Sequence, residues 1–167
     1  MRRYRFFILS LGIVVLDQIT KFLVVKYVPM HTVGWSFAGD FFRLIHVRNL
    51  GALFSLGSGI PDVFRVIFLV VLPTLVLLGV AISIVRSRNI DDRLRWLLAA
   101  IIGGGLGNLI DRIFRPEGVV DFLDFKFYGL FGLERWPTFN VADSTLVVSV
   151  IVMIIVLLVE EIRIKKS

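Results

Sequence analysis

Four apolar stretches, near residues 6–25, 63–85, 96–114 and 139–159, each come close to the ~20 residues a helix needs to cross a bilayer. Backbone in hydrocarbon must satisfy its own hydrogen bonds, so a chain built this way is confined to helices wherever it spans. Carboxylates interrupt the pattern. Asp17 and Asp143 lie inside two of the stretches, and Asp111 and Asp121 lie at and just beyond the end of a third. A charge at the centre of a membrane helix costs roughly 2.5–3.5 kcal/mol on insertion scales, so such residues persist where they line a wet interior and act there.

Composition agrees with the spans. The chain is 57% hydrophobic with a mean hydropathy of +0.87, against about 45–50% apolar residues in soluble domains. An integral membrane protein is predicted, with residues 1–167 forming one domain. The absence of cysteine excludes disulfides, thiolate catalysis and cysteine-ligated metals. The net charge of +6 does not point to nucleic acid, because the cations are placed as membrane anchors. Segments 1–5, 86–95 and 160–167 hold ten Lys and Arg in 23 residues, whereas segments 26–62 and 115–138 hold six in 61. The positive-inside rule then puts both termini in the cytoplasm and both long loops outside. Arg2, Arg3 and Arg5 imitate the start of a signal peptide, but no small-residue cleavage site follows and Asp17 and Lys21 break the apolar core. An uncleaved first transmembrane helix is expected.

The two long loops are too apolar to be plain linkers. Phe42–Val47 is β-prone with weak alternation, flanked by Gly34 and Gly39 before it and Gly51, Gly57 and Gly59 after it, which predicts a small sheet or hairpin on the outer membrane surface. Asp121–Tyr128 interleaves Phe122, Phe125 and Phe127 with Asp124 and Lys126. It reads equally as an amphipathic interfacial segment or as a loop packed on its own helices. Asp124 is expected to face solvent. In the third span, Gly103 and Gly107 form a small-xxx-small pair suited to close helix packing, and no Lys-Ser/Thr follows to suggest a nucleotide loop.

Asp17 and Lys21 are four apart and share a helix face, so they can pair as architecture. Asn108 shares a face with Asp111 and with Arg112, whose forked guanidinium suits a carboxylate or a carbonyl. Asn140 and Asp143 are three apart at the outer start of the fourth span. Alone, Asp143 is explained as an acid favoured at a helix N-terminus. Together with Asp121 at the same membrane face it makes a candidate pair, in which one carboxyl keeps a proton while the other acts as base. Such a pair activates water without metal or covalent intermediate. Rival hydrolytic chemistries fit poorly. There is no H-E-x-x-H, His31 and His46 are fifteen apart, no G-x-S-x-G occurs, and Ser55 and Ser58 have no adjacent base.

Asp17-Gln18 with Lys21, Asn49-Leu50-Gly51-Ala52, Gly107-Asn108-Leu109-Ile110-Asp111-Arg112, Val119-Val120-Asp121-Phe122 and Phe139-Asn140-Val141-Ala142-Asp143-Ser144 stand in an order that resembles the bacterial lipoprotein signal peptidases (signal peptidase II). The resemblance covers nearly the whole chain. It implies an all-α membrane fold of four transmembrane helices with a small extracytoplasmic β-cradle, formed by the first outer loop, and a short amphipathic periplasmic helix or loop, a mobile flap formed by the second. It implies an aspartyl endopeptidase of the bacterial inner membrane, its site near the periplasmic face, that cuts prolipoproteins just before a cysteine carrying a diacylglyceryl group. The catalytic pair maps onto Asp121 and Asp143, and supporting positions onto Asp17, Lys21, Asn49, Gly51, Asn108, Arg112 and Asn140, with Asp111 as a brace. Leu50 and Leu53 stand where the family has small residues, which bears on cradle packing and substrate preference. No metal or cofactor is implied. Expected partners are prolipoprotein substrates and membrane lipids, with the enzyme a monomer. A small proton-linked transporter would instead spread its functional acids through the bilayer depth, and four spans without an inverted repeat suit one poorly. A non-catalytic scaffold would leave the paired acids silent on substitution.

Overall fold

A computed structural model describes residues 2–51 and 61–166. Leu53, Ser55, Ser58, Gly57 and Gly59, singled out above, lie outside the described residues. Among the described residues four helices are long and apolar enough to cross a membrane: α1 (Phe7–Tyr27), α2 (Asp62–Arg86), α3 (Asp92–Phe114) and α4 (Val141–Lys166). α2 contains a π-helical turn, Ile67–Val71, that ends two residues before Pro73. The proline has no N–H for the carbonyl four residues back, and a widened turn accommodates that gap. α3 opens on Asp91, whose side chain accepts from the Leu94 N–H at 2.8 Å, satisfying one of the donors a helix start leaves over.

α3 is the central helix. Half of its most apolar window is buried, against 22% for α1, 11% for α4 and 6% for α2. In lipid, helices associate by close packing and polar contact rather than by exclusion of water. The glycines of α3 provide the close packing in three directions. A Cβ on Gly103 would stand 3.0 Å from the Ser10 backbone of α1, one on Gly104 would stand 2.7 Å from the Ala142 carbonyl of α4, and one on Gly105 would stand 2.7 Å from the Leu77 side chain of α2. The small-xxx-small pair is therefore part of a longer glycine run that seats all three neighbours.

The two long connections meet at one end of the bundle and form a three-stranded antiparallel sheet, ordered β1 (Val33–Phe37), β2 (Phe42–Asn49), β3 (Val119–Phe125). The hairpin expected from Phe42–Val47 is present as β1 and β2. In the second loop, expected as a short amphipathic helix or loop, most of the ordered structure is strand rather than helix. Val119–Phe125 is a strand, and the short helical piece is a three-residue 3-10 turn, Leu130–Gly132. Successive side chains of this segment instead alternate between two faces, with the two-residue period of a strand. Val120 and Phe122 are buried against Val24 of α1 and Val28 just after it, whereas Val119 and Asp121 line a cavity on the other side.

β2 pairs Leu44 with Leu123 but Val47 with Asp121, so one extra residue on β2 forms a bulge. Beyond it, Asn49 pairs with Val119 and shares the face of Asp121. Gly118 turns the chain into β3 with φ +98°, and a Cβ there would meet the Asn49 carbonyl oxygen at 2.6 Å. Only glycine combines that conformation with so close an approach.

Candidate active site

Asp121 enters from β3 and Asp143 from the first turn of α4, and both line one cavity of about 320 Å³. Asn49, Asn108 and Arg112 complete its polar side. Trp136, Pro137, Phe139, Val147 and Val148 give it an apolar side.

Each carboxylate is held by two N–H donors. Asp121 accepts from Asn140 Nδ2 at 2.7 Å and from Asn49 Nδ2 at 3.1 Å. Asp143 accepts from Asn108 Nδ2 at 2.6 Å and from the Asn140 backbone N–H at 3.2 Å. Asn140 Oδ1 accepts in return from the Asp143 N–H at 2.9 Å. This reciprocal pair, spaced Asn-x-x-Asp, is a capping box that starts α4. Asn140 thus ends one segment, begins another and bridges both acids. Its side chain is fully buried.

Beneath the acids lies a dry ionic cluster. Lys21, Asp17 and Asp111 have no solvent exposure. Lys21 Nζ donates to Asp17 at 2.8 Å, to Asp111 at 3.1 Å and to Asn108 Oδ1 at 2.9 Å, which uses all three of its protons. These contacts also fix the Asn108 amide. Its oxygen faces the ammonium and its NH2 faces Asp143. The two buried carboxylates then reach backbone. Asp17 Oδ1 accepts from the Ala142 N–H at 3.0 Å, and Asp111 Oδ2 from the Val120 N–H at 3.1 Å. Each contact falls one residue before a cavity aspartate. Asn140 Nδ2 also donates to the Val120 carbonyl at 3.3 Å, so the backbone of this residue is held on both sides.

Burial raises the Asp121 pKa to about 7, helped by the negative charge of Asp143. The N–H groups of Asn49 and Asn140 and the charge of Lys21 pull the other way and lose. A carboxyl buried beside a second carboxyl is the arrangement in which one of two acids retains a proton near neutral pH.

The sequence-derived candidates Asp17, Lys21, Asn49, Asn108, Arg112, Asp121, Asn140 and Asp143 all converge here. Gly51 lies beside them. Its N–H donates to Asn49 Oδ1 at 3.0 Å and its carbonyl accepts from Arg112 at 3.2 Å. Sequence reasoning gave no role to two residues that reach this cluster, Gln18, quoted above only as Asp17's neighbour in its block, and Arg115. Gln18 Nε2 donates to the Gly107 carbonyl and to Asp111, both at 3.0 Å, and Arg115 pairs with Asp111 at 3.2 Å. Adjacency to Asp17 was the available signal for Gln18, and the four-residue spacing from Asp111 was the signal for Arg115. The expectation for Asp124 is overturned. It is 2% exposed and paired with Arg43 and Arg135, because strand pairing sets Arg43 opposite it.

A family model described as signal peptidase (SPase) II matches residues 9–159. The chain belongs to the signal peptidase II family. It is a multi-pass membrane protein and a protease of the aspartic class. It is 48% identical over 152 residues to a lipoprotein signal peptidase of Borrelia garinii subsp. bavariensis, covering 91% of this chain and 88% of the relative. It is 52% identical over 143 residues to one of Borrelia duttonii, covering 86% and 83%. A solved bacterial membrane enzyme superposes with a TM-score of 0.79 at 26% identity, covering 94% of this chain and 89% of that one. A second such enzyme gives a TM-score of 0.75 at 27% identity.

Proposed function

We propose that this signal peptidase II family member cleaves the signal peptide from prolipoproteins immediately before a diacylglyceryl-modified cysteine, using Asp121 and Asp143 on one water. The observation that carries the reading is two carboxylates on one cavity, each fixed by two N–H donors, with Asp121 pushed up to about 7. The dyad carries one proton, held at rest by Asp121. Asp143 takes a proton from the water as its oxygen attacks the scissile carbonyl carbon, and Asp121 gives its proton to the carbonyl oxygen. The resulting gem-diol collapses. The C–N bond breaks, Asp143 passes its proton to the leaving amine, and Asp121 recovers one from a diol hydroxyl. Charge therefore moves between groups already in place, which is the economy of preorganised sites.

The apolar side of the cavity suits acyl chains, and its polar side suits the peptide. Asp17, Lys21, Asn49, Gly51, Asn108, Arg112 and Asn140 support the dyad. The cation distribution supports a topology with both termini in the bacterial cytoplasm and with the sheet and the site at the outer face of the inner membrane. One chain supplies the whole site, which is consistent with action as a monomer.

The test is product identity. Purified enzyme in lipid bilayers, given a lipid-modified prolipoprotein, should release a signal peptide and leave a product whose mass begins at the lipidated cysteine. Cleavage at another bond, or equal cleavage of the unlipidated precursor, contradicts the assignment.

A further inference from the structure

We propose that Asp124 is a positioning residue for substrate binding, acting through Arg135 to hold the segment that walls the acyl side of the cavity. The inference rests on the functional reading above for the nature of the substrate. The segment runs from Glu134 to Phe139 and returns the chain from the 3-10 turn to α4. Its Trp136, Pro137 and Phe139 face Val147 and Val148 across the cavity. Backbone contacts tie it to β3. The Trp136 N–H donates to the Phe125 carbonyl at 2.9 Å, and the Phe139 N–H to the Leu123 carbonyl at 3.1 Å. Its backbone makes five hydrogen bonds to residues 122–127, but among the described residues its bridges at Leu123–Phe139 and Lys126–Arg135 are isolated, so it is a fourth strand in position without a continuous ladder.

Side chains supply what the ladder lacks. Arg135 Nε donates to both oxygens of Asp124 at 2.9 Å. Arg43 Nε, from the opposing strand, donates to the same carboxylate at 2.6 Å. Asp124 is nearly fully buried whereas Arg135 and Arg43 are partly exposed, so this carboxylate is the fixed point and the cations gather on it. Arg135 then reaches further. Its NH2 group donates to the Asp40 carbonyl at 2.9 Å and NH1 pairs with the Asp40 side chain at 3.4 Å. Lys126 also donates to Asp40, at 3.1 Å. The β1–β2 turn, β3 and the return segment therefore share one clasp. No member of the clasp lines the cavity, yet Arg135 is the residue next to Trp136. A looser clasp widens the acyl wall while leaving Asp121, Asp143 and their donors in place.

Full-length Asp124→Asn and Arg135→Gln enzymes in lipid bilayers test this, with Asp40→Asn as a milder variant that keeps the buried carboxylate. The substrate is a peptide whose cysteine carries a diacylglyceryl group of long or short acyl chains. Both clasp variants should raise KM for the long-chain substrate about tenfold with kcat within about twofold, and the double variant should be no worse than either single one. The KM rise should shrink for the short-chain substrate. Hydrogen exchange gives a readout independent of cleavage: the Trp136 and Phe139 amides should exchange faster in Asp124→Asn and Asp40→Asn while the Val120 amide stays protected. Unchanged exchange at Trp136 and Phe139, an unchanged KM, or a fall in kcat beyond about twofold overturns the inference. A wild-type enzyme that fails to cleave the lipidated peptide counts against the functional reading instead, and exchange still decides the clasp.

Discussion

Lys21→Met isolates the contribution of the buried cluster, because methionine nearly keeps the volume of lysine and removes only the ammonium. Three contacts are lost: Asp17 at 2.8 Å, Asp111 at 3.1 Å and Asn108 at 2.9 Å. Breaking a buried ion pair by removing one partner costs about 3–5 kcal/mol, because the other charge is left uncompensated. The two aspartates are not orphaned equally. Asp111 keeps Arg115 at 3.2 Å, the Gln18 amide and the Val120 N–H. Asp17 keeps only neutral donors, the Ala142 N–H at 3.0 Å and the Gln18 amide at 3.3 Å. Asp17 should therefore carry most of the penalty. Thermal unfolding in detergent measures it. At roughly 2–4 °C per kcal/mol for a chain of this size, the midpoint should fall by on the order of 10 °C. Adding Asp17→Asn, which keeps an oxygen for the Ala142 N–H, should recover more than adding Asp111→Asn. A Lys21→Met midpoint within about 2 °C of wild type, or better rescue by Asp111→Asn, refutes the reasoning.

Two further outcomes follow from the same geometry. With Asp121 as the resting acid and its pKa raised to about 7, the active protonation state is populated below that value and lost as pH rises through it. A profile of kcat/KM should show an alkaline limb near pH 7, and a flat profile from about pH 6 to 9 contradicts the assignment. Gly107→Ala would put a Cβ 2.6 Å from Asp17 Oδ2 and 3.1 Å from the Ala142 Cβ, so overpacking of about 1–3 kcal/mol and a loss of activity are expected. Gly79→Ala, with nothing within 4 Å, should leave both unchanged.

How much of this was legible in the sequence depends on the range of each signal. The four spans are visible from length and hydropathy, which are local quantities. β2 is visible from its β-branched and aromatic run. β3 was not, because alternating phenylalanine and charge over Asp121–Tyr128 suits an interfacial segment as well as a strand. Its partner β2 lies some seventy residues earlier, and nothing local encodes that pairing. Asp124 was misplaced for the same reason. A carboxylate in a loop is usually solvated, and its partner Arg43 is 81 residues away. Within the site, the Asp17–Lys21 pair follows from helical spacing. That Asp111 joins it, and that the two carboxylates then grip the N–H groups of Ala142 and Val120, depends on how three helices and a strand meet. No spacing rule carries that information.

In the proposed mechanism Asp121 and Asp143 together cut the peptide. Asp121→Asn and Asp143→Asn enzymes, each shown to unfold near the wild-type temperature, should be assayed for cleavage of a lipid-modified prolipoprotein in bilayers. Each substitution alone should lower kcat by about 10²–10⁴-fold or more, since neither acid can do the other's proton transfer. Turnover by either folded variant within about tenfold of wild type would contradict it.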